Sequence, residues 1–171
     1  MNDANAWLLN FGAGLRAAIG IRDLVYTFYH PETCEVPEFP SHRCRALLWR
    51  QHRLPVWDLR TWLDGDAGDT WPYAAVVAYR GCGRQLQEYG ALRLAAPPLK
   101  VRLEDEDMCP LPEPEVRWHE VASCCFGWRR QPTPVLDLQR MFSEPGATPV
   151  ALPVASDLPL LCDAQPEIPP G

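Results

Sequence analysis

The sequence predicts an all-β protein built from two similar units. Three observations carry that expectation. About ten short runs of strand-forming residues are separated by turn signals, and helical spacing occurs only in brief stretches. Next, "WRQHRLPVWDLRTWL" (Trp49 to Leu63) falls on "WRRQPTPVLDLQRMF" (Trp128 to Phe142) after a shift of 79 positions, with six of fifteen residues identical. At average residue usage roughly one would match by chance. Finally, half of a 171-residue chain is too small to close a stable core alone, so the two units should pack against each other.

Taken in order, "AWLLNFGAGLRAAIGI" reads as a β-hairpin whose turn lies at Gly12-Ala13-Gly14, where glycine permits positive φ. "RDLVYTFY" continues with β-branched and aromatic residues, which favour a strand. "HPETCEVPEFPSH" holds three prolines and reads as an irregular surface connection. "CRALLWR" and "LPVWDL" are short strands on either side of a polar turn, Arg50-Gln51-His52-Arg53. Asp58 then precedes apolar Leu59, Trp62 and Leu63 at helical spacing, so its carboxylate is expected to cap a short helix that Gly65 ends. Asp137 is expected to do the same before Leu138, Met141 and Phe142, with Pro145-Gly146 as the stop.

Between the copies, "YAAVVAY", "YGALRLAA" and "LKVRL" read as strands, and "EDEDMCPLPEPE" as an acidic loop whose charges need water. From Glu144 onward the last 28 residues contain seven prolines, four acids and no Lys or Arg. They are expected to form a mobile tail in which only "LPLLCD" docks.

Composition excludes several function classes. With 16 basic and 22 acidic residues in all, and four of the acids in the tail, the first 143 residues carry 16 − 18 = −2. A near-neutral body with an acidic tail does not suit nucleic-acid binding. No apolar run approaches the roughly 18 residues of a membrane span. The seven cysteines are irregularly spaced and the opening residues lack a signal-peptide pattern, so free thiols in a reducing cytoplasm are expected.

Chemical motifs are equally sparse. Paired Asp58 and Asp137 suggest an aspartic-protease dyad, but each is followed by Leu and a long polar residue where that chemistry needs a hydroxyl and a glycine. Cys34, His42, Cys44 and His52 could supply a zinc set, yet the C-x7-H-x-C-x7-H spacing lacks a short knuckle. No nucleophile elbow, C-x-x-C pair or phosphate loop is present. No cofactor and no metal are therefore expected, and a binding module is favoured over a thiol-dependent or metal-dependent enzyme.

The residues "ALLWRQHRLPVWDLRTWL", "YAAVVAY…YGALRLAAPPLKVRLEDEDMCPLPEPE" and "TPVLDLQRMF" together resemble CheW-like domains, the adaptors of bacterial chemosensory arrays, from about Trp7 to Phe142. The resemblance implies two SH3-like five-stranded β-barrel subdomains related by a pseudo-two-fold, with short helices. It implies a CheW-like domain over residues 1–143, with the chain passing between subdomains near 64–72, and the tail over 144–171. It also implies a non-catalytic scaffold that bridges the regulatory domain of a CheA-type histidine kinase to the tip helices of methyl-accepting chemoreceptors, the receptor helix lying in an apolar groove. By position, Arg50 matches the family's functionally important arginine, Ile21 and Asp23 the groove edge of the first barrel, and Leu99 a groove position of the second. Departures occur at Gln51 and Arg45, which stand where the family has glycine, and at Pro97-Pro98, which should interrupt strand pairing. Arg45 places a bulky charge near the expected contact surface, and Gln51 implies a different turn. Such changes fit a divergent adaptor, for example one serving a pilus-linked twitching system.

Overall fold

A computed structural model describes residues 4–65, 71–81, 86–112 and 117–143. The mobile tail expected over 144–171 and the stop at Pro145-Gly146 lie outside these described residues. Eleven strands and three short helices are present among them. The strands are β1 (Ala4–Gly12), β2 (Leu15–Gly20), β3 (Leu24–Tyr29), β4 (Thr33–Glu35), β5 (Arg45–Trp49) and β6 (His52–Trp57) in the first part. After helix α1 (Leu59–Asp64) come β7 (Tyr73–Arg80), β8 (Gln87–Leu94) and β9 (Leu99–Leu103). Helix α2 (Trp118–Val121), β10 (Ala122–Trp128), β11 (Gln131–Leu136) and α3 (Leu138–Phe142) complete the fold.

Two sheets form. The first has the order β10-β11-β2-β1-β9 and the second β3-β7-β8-β6-β5-β4. Read from β9, the first sheet runs β9-β1-β2-β11-β10; without β4, the second runs β3-β7-β8-β6-β5. The two orders correspond strand for strand. Both contain one parallel contact, Val56 with Ala91 in the second sheet and Val135 with Ala18 in the first. Val56 and Val135 are the same position of the sequence repeat, so the pseudo-two-fold holds at the level of residue pairs.

Each unit is closed by the chain that leaves its edge strand. β3 continues into β4, which pairs with β5, where Thr33 faces Leu47. β9 continues to Met108, which bridges to Phe126 on β10. The strands therefore curl into two SH3-like units. The first unit takes β1 and β2 from the start of the chain and β9, β10 and β11 from its end. The segment at 64–72, where the chain was expected to pass between subdomains, is flanked by β6 and β7, and both belong to the second sheet. The crossings lie instead between β2 and β3 and between β8 and β9.

Alternation explains how one strand serves two cores, because successive side chains point to opposite faces. Leu8 packs with Ala6, Ala18, Val101 and Phe126 inside the first unit. Val76 packs with Leu47, Val56, Ala74 and Ala91 inside the second. The next residues, Leu9 and Val77, turn the other way into a shared core with Ile19, Trp57, Leu92, Met141 and Phe142. Burying a side chain of this size contributes about 1.5–3 kcal/mol. The shared core is therefore what keeps two small units from standing alone.

Both helices of the repeat are capped as expected. Asp58 accepts from the Thr61 N–H at 3.1 Å, and Asp137 from the Arg140 N–H at 2.9 Å. Gly65 ends α1 in the left-handed conformation at φ 73°. α3 reaches over the sheet, and a Cβ at Gly90 would lie 2.3 Å from the Phe142 ring. Only glycine lets that ring settle on β8, and the ring also stacks on Tyr79 of the neighbouring β7 with centroids 4.8 Å apart.

Three local expectations change. The proline-bearing stretch after β3 is not wholly irregular: Thr33–Glu35 form β4, and Ser41–Arg43 a 3-10 turn. Helix α2 was not expected at all. The β5–β6 turn is two residues long rather than four, since His52 and Arg53 already pair with Trp49 and Leu48.

Candidate partner-binding site

Arg50 stands at the tip of the β5–β6 hairpin. The two loop residues, Arg50 and Gln51, have φ of 47° and 66°. Two-residue hairpins need positive φ at both central positions to match the twist of their strands, and that demand favours Asn-Gly or Gly-Gly. Here two long polar side chains meet it. The second copy does the same with Arg129 and Arg130, at 48° and 64°. Gln51 occupies the left-handed region that a glycine takes freely, at the expense of local strain.

The exposed Arg50 guanidinium lies 4.7 Å from the centroid of the Trp49 ring, which itself packs at 5.1 Å from Tyr89. A cation–π contact of this kind holds the charge at a defined place above the second unit's core. On the opposite face of β5, the neighbouring Leu48 is 64% exposed, an apolar side chain outside any core. Arg50 on Trp49 makes a charged tip on an aromatic footing, which suits recognition of a protein surface.

Ile21 and Asp23 occupy the turn between β2 and β3. The Asp23 carboxylate accepts from the Gly20 N–H at 3.0 Å, and the Asp23 N–H donates to the Gly20 carbonyl at 3.0 Å. Ala78 N–H donates to the Asp23 carbonyl at 2.8 Å. Burial pushes the Asp23 carboxyl above its ordinary pKa, and the Gly20 hydrogen bond opposes that shift. Asp23 thus fastens the crossing from one sheet to the other. Its carboxylate is engaged within the turn, which makes the acid a structural element before anything else.

The Ile21 carbonyl accepts from the Trp7 indole N–H at 3.2 Å. Trp7 faces Lys100 on β9, while Leu99 faces Leu8. Trp7 therefore links the crossing turn to the β9 edge, and Leu99, 50% exposed, lies one residue along on the other face. Arg45 is not a free charge: it donates to Thr33 Oγ1 at 3.2 Å and pairs with Glu35 at 3.3 Å, bracing β4 against β5. The five positions do not converge on one spot. Ile21 and Asp23 share a turn, Leu99 neighbours it through Trp7, and Arg45 and Arg50 lie along the β5–β6 hairpin.

Sequence reasoning did not anticipate β3 as an exposed aromatic edge. Val25, Tyr26 and Tyr29 are 39%, 53% and 67% exposed on the outermost strand of the second sheet. The signal was present as consecutive apolar residues without the polar alternation of a half-buried strand.

The residues considered for catalysis or metal binding are engaged elsewhere among the described residues. Asp58 and Asp137 each bind their own helix, and Asp58 also pairs with Arg93, with both side chains largely buried. Cys34 lies on β4, the Cys44 thiol donates to the Ser41 carbonyl at 3.1 Å, and His52 sits in the hairpin. His42 is packed between Trp57 and Trp62, with ring centroids 4.7 and 4.6 Å away. Among the described residues no three His, Cys, Asp or Glu side chains gather as a metal site. Among them, too, no helix is long and apolar enough to cross a membrane.

No protein-family profile matches the sequence. No curated protein matches it by sequence. Its structure is similar to the crystal structure of the scaffolding protein TtCheW from Thermoanaerobacter tengcongensis, with a TM-score of 0.68. The match covers 85% of this chain and 92% of that one at 14% sequence identity. Identity that low speaks to the fold alone, and the likeness extends over nearly the whole of both chains. The chain has a CheW-like fold.

Proposed function

We propose that this protein is a non-catalytic adaptor of a bacterial chemosensory array, coupling chemoreceptors to a CheA-type histidine kinase. The observation that carries the reading is the two-unit fold shared over nearly all of a CheW scaffold. Arg50 supports it: the sequence resemblance matches it to the family's functionally important arginine, and a left-handed turn displays it on Trp49. The kinase regulatory domain docks on the β5–β6 hairpin of the second unit. The receptor tip helix lies between the units, bordered by Ile21 and Leu99. Asp23 acts there by holding the turn that carries Ile21. The departures at Gln51, Arg45 and Pro97-Pro98 point to a specialised array, and a pilus-linked system is the setting we favour.

The test is a titration of the protein with the regulatory domain of its cognate kinase, wild type against Arg50→Ala. A polar contact desolvated at an interface should cost about 1–3 kcal/mol when truncated. Binding weakened to that extent in a variant with an unchanged circular dichroism spectrum supports the reading. Absence of binding by the folded wild type would remove the kinase from it.

A further inference from the structure

Outside the surfaces described above, the sulfur atoms of Cys109 and Cys125 lie 3.2 Å apart. Their positions follow from the seam that closes the first unit. Met108 pairs with Phe126 across that seam, and the Cys109 N–H donates to the Cys125 carbonyl at 3.1 Å. One step along antiparallel backbones from the Met108–Phe126 bridge, Cys109 and Cys125 are directly opposed. Opposed residues of this kind have Cβ atoms about 4.5–5.5 Å apart, close to the roughly 3.5–4.5 Å that a disulfide needs.

The seam of the second unit supplies an internal comparison. There Thr33 faces Leu47 and Cys34 faces Ala46. Leu47 and Ala46 become Phe126 and Cys125 after the shift of 79. Both closing segments therefore carry a cysteine at the same place, Cys34 and Cys109. Only the first unit has a second cysteine opposite it. The Cys34 thiol points instead at the Ala46 carbonyl, 3.8 Å away.

We propose that Cys109 and Cys125 are a redox modification site, closing a reversible disulfide across the seam with an oxidised low-molecular-weight thiol of the glutathione type as oxidant. Exposure sets the order of events: Cys109 is partly exposed and Cys125 is 1% exposed. The Cys109 thiolate attacks one sulfur of the small disulfide, releasing one small thiolate and leaving a mixed disulfide on Cys109. Cys125 then loses its proton to water and displaces the second small thiolate. One S–S bond breaks in the oxidant and one forms in the protein, and two electrons pass from the protein sulfurs to the small ones. Burial, with the Cys109 thiol beside it, pushes the Cys125 thiol up to about 12. The second displacement is accordingly the slow one and quickens as pH rises. Cys124 is no competitor by geometry, since it faces Val135 and neighbouring strand residues point to opposite faces.

Once formed, the bond fastens the acidic 3-10 turn at Asp105–Asp107, and with it the 60%-exposed Met108, to β10. The surface that segment presents becomes fixed in the oxidised protein and can open in the reduced one.

The test equilibrates the full-length protein in glutathione buffers of increasing oxidised fraction. Samples are acid-quenched, alkylated under denaturing conditions and mapped by peptide mass spectrometry. A Cys109–Cys125 linkage should accumulate ahead of every other pairing while near-ultraviolet circular dichroism stays native and Cys34 remains available to alkylation. Cys125→Ala, which copies the residue the second unit already tolerates at position 46, should stop at the mixed disulfide on Cys109. Wild-type Cys109 remaining free or singly capped across the oxidising range would overturn the proposal. So would its pairing with Cys124 as readily as with Cys125 in the folded protein. The linkage map of the wild type decides the matter even where the variant fails to fold.

Discussion

Val56 and Val135 hold the same place in two different sheets: each makes the parallel contact of its unit, with Ala91 and with Ala18. Parallel neighbours cannot be joined by a hairpin, so both contacts are long-range and have to be specified from a distance. The valines follow identical prolines, Pro55 and Pro134, and precede identical caps after one more residue. Duplication thus extends from sequence to the least local feature of the fold. Where the copies differ, the differences can be read as experiments the chain has already carried out.

Asp58 and Asp137 are one such difference. Asp137 caps α3 and makes a long, half-open contact with Arg140 at 3.7 Å. Replacing it with alanine should cost about 1 kcal/mol, the ordinary value of an N-cap. Asp58 also accepts from Thr61 Oγ1 at 2.7 Å and holds Arg93 in a pair that is 12% and 13% exposed. Removing Asp58 therefore takes a charged partner from the largely buried Arg93 as well as the cap, and breaking a buried pair costs up to about 3–5 kcal/mol. Urea denaturation should therefore rank Asp58→Ala well below Asp137→Ala. Equal losses would mean that Arg93 does not depend on Asp58.

The β5–β6 turn carries a strain that glycine would relieve. Left-handed φ costs an ordinary residue about 1–2 kcal/mol. Gln51→Gly should stabilise the folded chain, by less than that amount because glycine also frees the unfolded state. The expected gain is about 0.5–1 kcal/mol by urea midpoint, with the hairpin register unchanged. A loss of stability would show that the Gln51 side chain contributes contacts which outweigh its backbone strain.

His42 predicts a pH dependence. Burial between Trp57 and Trp62, with the Arg43 and Arg117 charges adding to it and Asp58 opposing, lowers its pKa from 6.5 to about 4. Between those values the unfolded chain binds a proton that the folded one refuses. Stability from this group is complete above 6.5 and is lost as pH falls toward 4. His42→Phe keeps an aromatic ring in the cage and removes the titration. The wild type should lose more stability than this variant between 6.5 and about 4, measured by urea midpoints on both. Parallel curves would place the acid sensitivity elsewhere.

What the sequence made legible was local. The caps, the first hairpin and the apolar runs of β7 and β8 each depend on residues within a few positions of one another. Helix α2 escaped because four residues cannot display a period of 3.6. The β5–β6 turn was drawn too long because His52 and Arg53 are polar, yet their strand positions face solvent at an exposed tip. β4 hid among prolines because its three residues pair only with β5, and that partner is set by the closing of the unit. Of the site, Arg50 was visible in both repeat and resemblance. Asp23 as a turn fastener and the aromatic edge of β3 were not visible, since each depends on which strand lies alongside.

The composition of the first unit bears on how the protein is made. Strands β1 and β2 leave the ribosome well before β11, the parallel partner of β2, which follows more than a hundred residues later. At roughly 5–20 residues per second, that interval is on the order of ten seconds, far longer than the microseconds in which a hairpin forms. The second unit, β3 to β8, can assemble during the wait, but the opening hairpin cannot be completed. The face that carries Leu9 and Ile19 can settle on the second unit, but the face with Ala6, Leu8 and Ala18 stays uncovered until Phe126 arrives. For a nascent chain of this design the vulnerable segment is therefore the β1–β2 hairpin, and a chaperone that shields it has Ala4–Gly20 to hold until β11 arrives.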